Sequence, residues 1–233
     1  MRSYLPMRER SLGRAWPSML VAVLLLAGAA AAPAQAAPPN TVSFSLTPNP
    51  AFVKCLARFP NSSTRKPFAN VTVTRGRLND TLTLTIGNIK PGLDFDLFTV
   101  ERSFFVANGT KDPAFTNFGL GWYQSDVEAN SDGAGTVTIK TILLDQIFGL
   151  DQDITGLNAL TRGHTHHTFH VGFWFNNPQD AVPCGFDATH PTPFNGEQHA
   201  GPMAMMSRPK AATGLGPLCS NPNFSTTPTS CNP

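Results

Sequence analysis

Apolar and polar residues alternate one by one in a series of short runs along this chain, a period of two rather than the helical period. From Asp80 to Ile86, the side chains of Leu82, Leu84 and Ile86 fall on one face and those of Thr81, Thr83 and Thr85 on the other, which predicts a half-buried strand. Val71 to Arg77 repeats the pattern and is placed to pair with it. After a turn over Asn88 to Gly92, strands are predicted at Asp94 to Val100, Gly119 to Glu128 and Gly135 to Thr141. The last two are joined by Asn130-Ser-Asp-Gly-Ala-Gly135, rich in residues that tolerate positive φ. Only Ile142 to Leu150 and Asp151 to Leu160 suggest helix or an irregular crossover. The expected fold is all-β: a single antiparallel β-sandwich, Greek-key or Ig-like, with an irregular, disulfide-stapled C-terminal tail.

One predicted strand carries most of the candidate chemistry. In His164-Thr-His-His-Thr-Phe-His-Val-Gly-Phe-Trp-Phe175, alternation puts His167, Phe169, Val171, Phe173 and Phe175 on one face. His164, His166, Thr168, His170, Gly172 and Trp174 share the other. The segment reads either as a metal-ligating strand or as a core strand with histidines at its mouth.

The N-terminus reads as an export signal. Arg2, Arg8, Arg10 and Arg14 precede an apolar stretch from Met19 to Ala32, and Ala34-Gln-Ala36 supplies a small-x-small cleavage pattern. The stretch is short for a spanning helix, so secretion without a transmembrane anchor after cleavage is expected. The whole chain is formally +2, but removing residues 1–36 takes away four of its 17 basic residues and one of its 15 acidic ones. The 13 basic and 14 acidic residues that remain give −1, which removes the electrostatic case for a nucleic-acid partner.

The expected organisation is a signal peptide over 1–36, a Pro-rich lead-in with the first strands over 37–68, a β-sandwich core over 69–206 and a Pro/Ser-rich tail over 207–233. All four cysteines (Cys55, Cys184, Cys219, Cys231) follow the leader, and an even count in an oxidising compartment favours two disulfides. Three pairings are possible, of which Cys219–Cys231 with Cys55–Cys184 is preferred. The 17 Phe against few Trp and Tyr point to a packed interior rather than an aromatic binding platform.

Three motifs, Phe118-Gly-Leu-Gly-Trp-Tyr-Gln-Ser-Asp126, His167-Thr-Phe-His-Val-Gly-Phe-Trp-Phe-Asn-Asn-Pro178 and Thr192-Pro-Phe-Asn-Gly-Glu-Gln-His-Ala-Gly201, resemble those of a group of secreted bacterial proteins of unassigned function. The likeness covers roughly 70–206 and implies no activity. Phe169-His170-Val171-Gly172 and Pro193-Phe194-Asn195 with His199 are also similar to segments of the copper/zinc superoxide dismutases, which are sandwiches too. Gly172 stands where that family has its second His, and Pro193 stands where it has another. The family's C-terminal Cys motif containing Arg is missing. This resemblance implies the fold with a broken copper site.

The candidate metal ligands are His164, His166, His170, His190 and His199, for Cu or Zn. His166 and His170 start about 13 Å apart on a strand, so a complete site needs a bulge or donors from elsewhere, such as Asp94, Asp96 or Asp126. Met203, Met205 and Met206 after His199 would suit copper(I), or would simply fill the core of a last strand. Asp126 to Gly133 has acids at alternate positions, but the register of a calcium loop fails and a hairpin explains it better. Trp122, Trp174 and Asp126 are the candidate ligand contacts for a sugar, although Trp122 and Tyr123 face opposite ways on a regular strand. No Gly-x-Ser-x-Gly or His-Glu-x-x-His motif is present, so no catalytic residue is assigned. The expected function is a secreted, non-catalytic binding or surface-associated module for a small molecule, glycan or protein. The alternative is an extracytoplasmic Cu/Zn-binding protein, superoxide dismutase-like with an incomplete copper site.

Overall fold

Alternating apolar side chains need a partner layer, and the chain supplies one by curling a single sheet over itself. The computed structural model describes residues 41–76, 79–119, 121–141, 169–192 and 200–219. Among the described residues are eight strands: β1 (Thr41–Pro48), β2 (Phe68–Thr74), β3 (Asp80–Gly87), β4 (Asp94–Val100), β5 (Gly121–Glu128), β6 (Gly135–Thr141), β7 (His170–Phe175) and β8 (Met203–Ser207). They form one sheet in the order β5-β4-β7-β8-β1-β2-β3-β6, with every neighbouring pair antiparallel. No helix among the described residues is long and apolar enough to cross a membrane.

Two features curl the sheet. The outermost strands, β5 and β6, are consecutive in sequence and joined by a tight loop. In that loop the Asn130 side chain accepts the Asp132 and Ala134 amides at 2.9 and 3.1 Å, and Gly133 takes a positive φ of 71°. The stretch that resembles a calcium loop is therefore a hairpin. At the other seam β1 changes partner part-way: Thr41 to Ser45 pair with β2, and Leu46 to Pro48 pair with β8.

The inner faces share one core. Ala69, Val71, Val73, Leu82, Leu84 and Ile86 come from β2 and β3, and Phe95, Leu97, Val171, Phe173, Phe175 and Met205 from β4, β7 and β8. Each fully buried large apolar side chain contributes about 1.5–3 kcal/mol. The outer face of β1-β2-β3-β6 is a hydroxyl lattice of cross-strand pairs, Ser43 with Thr72 at 3.0 Å and Thr83 with Thr138 at 3.0 Å. The Cys55–Cys184 disulfide ties a single helical turn (Val53–Leu56) to a 3-10 helix (Pro178–Cys184) across 129 residues. Cys219 is disulfide-bonded as well, while Cys231 lies outside the described residues.

The outer face of β4-β7-β8 is not solvated, so β7 is buried on both sides. After Val100 the chain makes an excursion over 101–119 that lays aromatic residues across this face. Trp174 contacts Phe98 and Phe118 edge-on at 5.4 and 5.0 Å, and Phe115 extends the row from Phe118 to Phe104 at 4.8 and 5.3 Å. Met203 and Met206 complete this second cluster, and the Phe104 amide donates to Met206 Sδ at 3.2 Å. The methionines are fillers of the two cores. Residues 208–219 also return to the body: the Leu218 amide donates to the Phe169 carbonyl, and Leu218 enters the main core.

Candidate functional site

The antiparallel pairing of β4 with β7 and of β7 with β8 brings three strand ends together: Val100, His170 and Ser207. The excursion leaving β4 and the segment following β8 arch over that end. Between them lies a cavity of about 480 Å³, with Glu101, Ser103, Asp112, Phe115, His170 and Gly216 among its lining residues.

His170 is its central polar group, only 5% exposed. Burial pushes its pKa down from 6.5 to about 4, against a smaller raising effect of a hydrogen bond to the Ser207 backbone, so the ring is neutral at pH 7. Its Nδ1 lies 3.2 Å from Ser207 Oγ, and that oxygen also accepts the Val171 amide at 3.1 Å. Ser207 is fully buried. Nε2 lies on the Gly216 side, where an added Cβ would come within 2.9 Å of it. The site therefore presents a neutral, buried imidazole, able to donate or to accept, at the edge of a partly apolar cavity.

The surrounding wall is locked by its own hydrogen bonds. Ser103 Oγ donates to the Ser207 carbonyl at 2.7 Å and accepts the Phe105 amide at 3.0 Å, pinning the excursion to β8. Glu101 is buried, and Gly119, at a φ of 70°, makes room for its carboxylate: a Cβ there would overlap Oε2. Ser207 does not line the cavity, so the Ser207–His170 pair is a support for the ring rather than a nucleophile with its base.

Of the predicted metal ligands, His164, His166 and His199 lie outside the described residues. His170 and His190 are far apart: β7 alone carries the chain roughly 17 Å away from His170 before the 3-10 helix and His190. His190 is exposed, with Nδ1 2.7 Å from Asp187 Oδ2. Hydrogen bonds from the Thr189 hydroxyl, from His190 and from the Thr189 amide hold the Asp187 carboxyl down at about 2. Among the described residues no three His, Cys, Asp or Glu side chains are grouped to hold a metal. The position of the missing second His of the superoxide dismutase pattern is filled. A Cβ on Gly172 would meet Met206 Cε at 2.9 Å, the Met205 carbonyl at 3.1 Å and Trp174 Cζ3 at 3.2 Å. The described residues do not fit a copper centre there.

The candidate sugar contacts also separate. Trp174 is a core residue, 1% exposed beneath Phe118, and offers no face to a ligand. A register shift between Leu97 and Phe98 leaves Gln124 as the extra residue of β5 and sets Tyr123 opposite Phe98. Trp122 and Tyr123 are 44% and 40% exposed, and the Tyr123 hydroxyl donates to Asp126 Oδ1 at 2.7 Å.

Sequence reasoning singled out His170 and missed Ser103, Ser207 and Gly216, none of which belongs to a motif. Glu101 carried one signal, since only three glutamates follow residue 36. No protein-family model, no curated protein and no solved structure matches this chain.

Proposed function

We propose that the chain is an exported, non-catalytic binding module, a two-layer β-sandwich that holds a small polar ligand in the cavity beside His170. The observation that carries this reading is the supported imidazole. Its Nδ1 is engaged by the buried Ser207 hydroxyl, and the ring borders a cavity whose walls combine Phe115 and Phe105 with Glu101, Arg102 and Asp112. A hydroxyl group on the ligand would pair with the imidazole as donor or acceptor, and an apolar or sugar-ring body would pack on the phenylalanines.

No three His, Cys, Asp or Glu side chains among the described residues are grouped to hold a metal, which favours an organic ligand over a cation at His170.

The test is a fragment screen by two-dimensional amide NMR with a library of small polyols, sugars and carbonyl compounds. Hits should perturb His170, Phe115 and Gly216 together, and Ala114→Trp, placed at the exposed rim, should abolish them while leaving the rest of the spectrum in place. Hits that map elsewhere, or that bind the Trp variant equally well, would refute the assignment. Stoichiometric retention of Cu or Zn that shifts the His170 ring nitrogens would favour the metal reading instead.

A further inference from the structure

The most distinctive surface left over is cationic, at the end of the sheet that carries the β5–β6 loop. Between residues 41 and 79 the sequence has Lys54, Arg58, Arg65, Lys66, Arg75 and Arg77 and no acidic residue. The fold gathers four of them around one turn. Asn88, in the left-handed region at φ 56°, accepts the Arg58 amide on its carbonyl at 2.9 Å and donates from its side chain to the Lys66 carbonyl at 3.0 Å. The Lys90 amide donates to the Leu56 carbonyl at 2.8 Å, adding a fifth cation beside them. The Arg65 guanidinium lies 3.8 Å from the Phe59 ring centroid and that of Arg58 5.5 Å from the same ring, so one aromatic ring holds two positive charges together. Arg58 also donates to the carbonyl of Asp132, the acidic neighbour of the cluster.

Two further features adjoin these charges. Phe68 is 43% exposed and the far end of its ring lies against Gly87, where any Cβ would overlap it. A groove of about 630 Å³ is lined by Lys54, Pro60, Asn61 and the Cys55–Cys184 disulfide. A half-exposed aromatic ring beside a cationic cluster suits the apolar face of a charged sugar.

We propose that this end binds an acidic polysaccharide, with uronate carboxylates meeting Lys54, Arg58, Arg65 and Lys66 and a pyranose face resting on Phe68. The surface is separate from the His170 cavity, and neither assignment rests on the other. Affinity electrophoresis through gels containing polygalacturonate, with neutral dextran as control, tests it. Retardation should appear at low salt and fade as ionic strength rises. Arg65→Glu with Lys66→Glu should weaken it about tenfold or more. Phe68→Ala should weaken it less, with folding of every variant checked by near-UV circular dichroism. Arg65→Gln with Lys66→Gln, which removes charge without reversing it, should fall between wild type and the reversed pair. The proposal is overturned if polygalacturonate retards the protein no more than dextran does, or if the reversed pair migrates like wild type. Tighter binding to phosphatidylglycerol vesicles or to single-stranded DNA than to polygalacturonate would also overturn it.

Discussion

Acid should weaken this fold through His170 in a pH window that can be calculated. In the unfolded chain the imidazole titrates at its ordinary 6.5, and in the folded protein burial holds it at about 4. Between those values the unfolded state binds a proton that the folded state refuses. Stability is therefore fully present above the unfolded value and falls as pH drops from about 6.5 toward about 4. The slope approaches about 1.4 kcal/mol per pH unit, and the total loss is about 3 kcal/mol. Urea denaturation of wild type and His170→Gln, measured from pH 8 to pH 4, isolates this contribution, because the carboxylates titrate alike in both. The difference between the two stabilities should be constant above pH 7, then shrink by about 3 kcal/mol on the way to pH 4. Asp187 does not confuse the window. Its folded carboxyl, held at about 2 by Thr189 and His190, contributes stability present above 3.8 and lost as pH falls through 2. A flat difference curve, or one that grows with acid, would show that the ring is accessible to protons and that the cavity is not closed around it as described.

Gly172→Ala should destabilise the protein by about 1–3 kcal/mol, read from denaturant midpoints, because the new methyl meets the Met205 backbone and Met206 Cε on a face with no slack. Trp174→Ala should cost about 3–5 kcal/mol and collapse the near-UV circular dichroism of the aromatic row, while Trp122→Ala, on an exposed edge, should change stability by about 0.5 kcal/mol or less. Breaking Cys55–Cys184 by double alanine substitution should cost about 2–5 kcal/mol in chemical denaturation, through the entropy released to a loop of 129 residues, and reductant should reproduce the effect in wild type.

The strands with clean alternation were legible. Asp94 to Val100 and Gly135 to Thr141 coincide with β4 and β6, and the run at Asp80 lies within β3; β3 and β6 alternate because one face packs on the core and the other does not, while β4 also gives Phe98 and Val100 to the second cluster. β1 was harder to read. Val42, Phe44 and Leu46 alternate with Thr41, Ser43 and Ser45, but the prolines on both sides make the segment look like a lead-in. The double burial of β7 was not readable from its own residues, since it depends on Phe104, Phe115 and Phe118 reaching back from a stretch without periodicity. The Cys55–Cys184 pairing agrees with the preferred one, whereas the support of His170 by Ser207 is a tertiary contact between strands 37 residues apart that no local pattern announces.

The pairing of Leu46, Thr47 and Pro48 with Ser207, Met206 and Met205 has a consequence for biogenesis. Of the described strands, the first finishes its hydrogen bonding only against the last, so a fragment that ends before residue 203 leaves β1 half-paired. Closing the sheet is then an event of chain completion rather than of gradual growth.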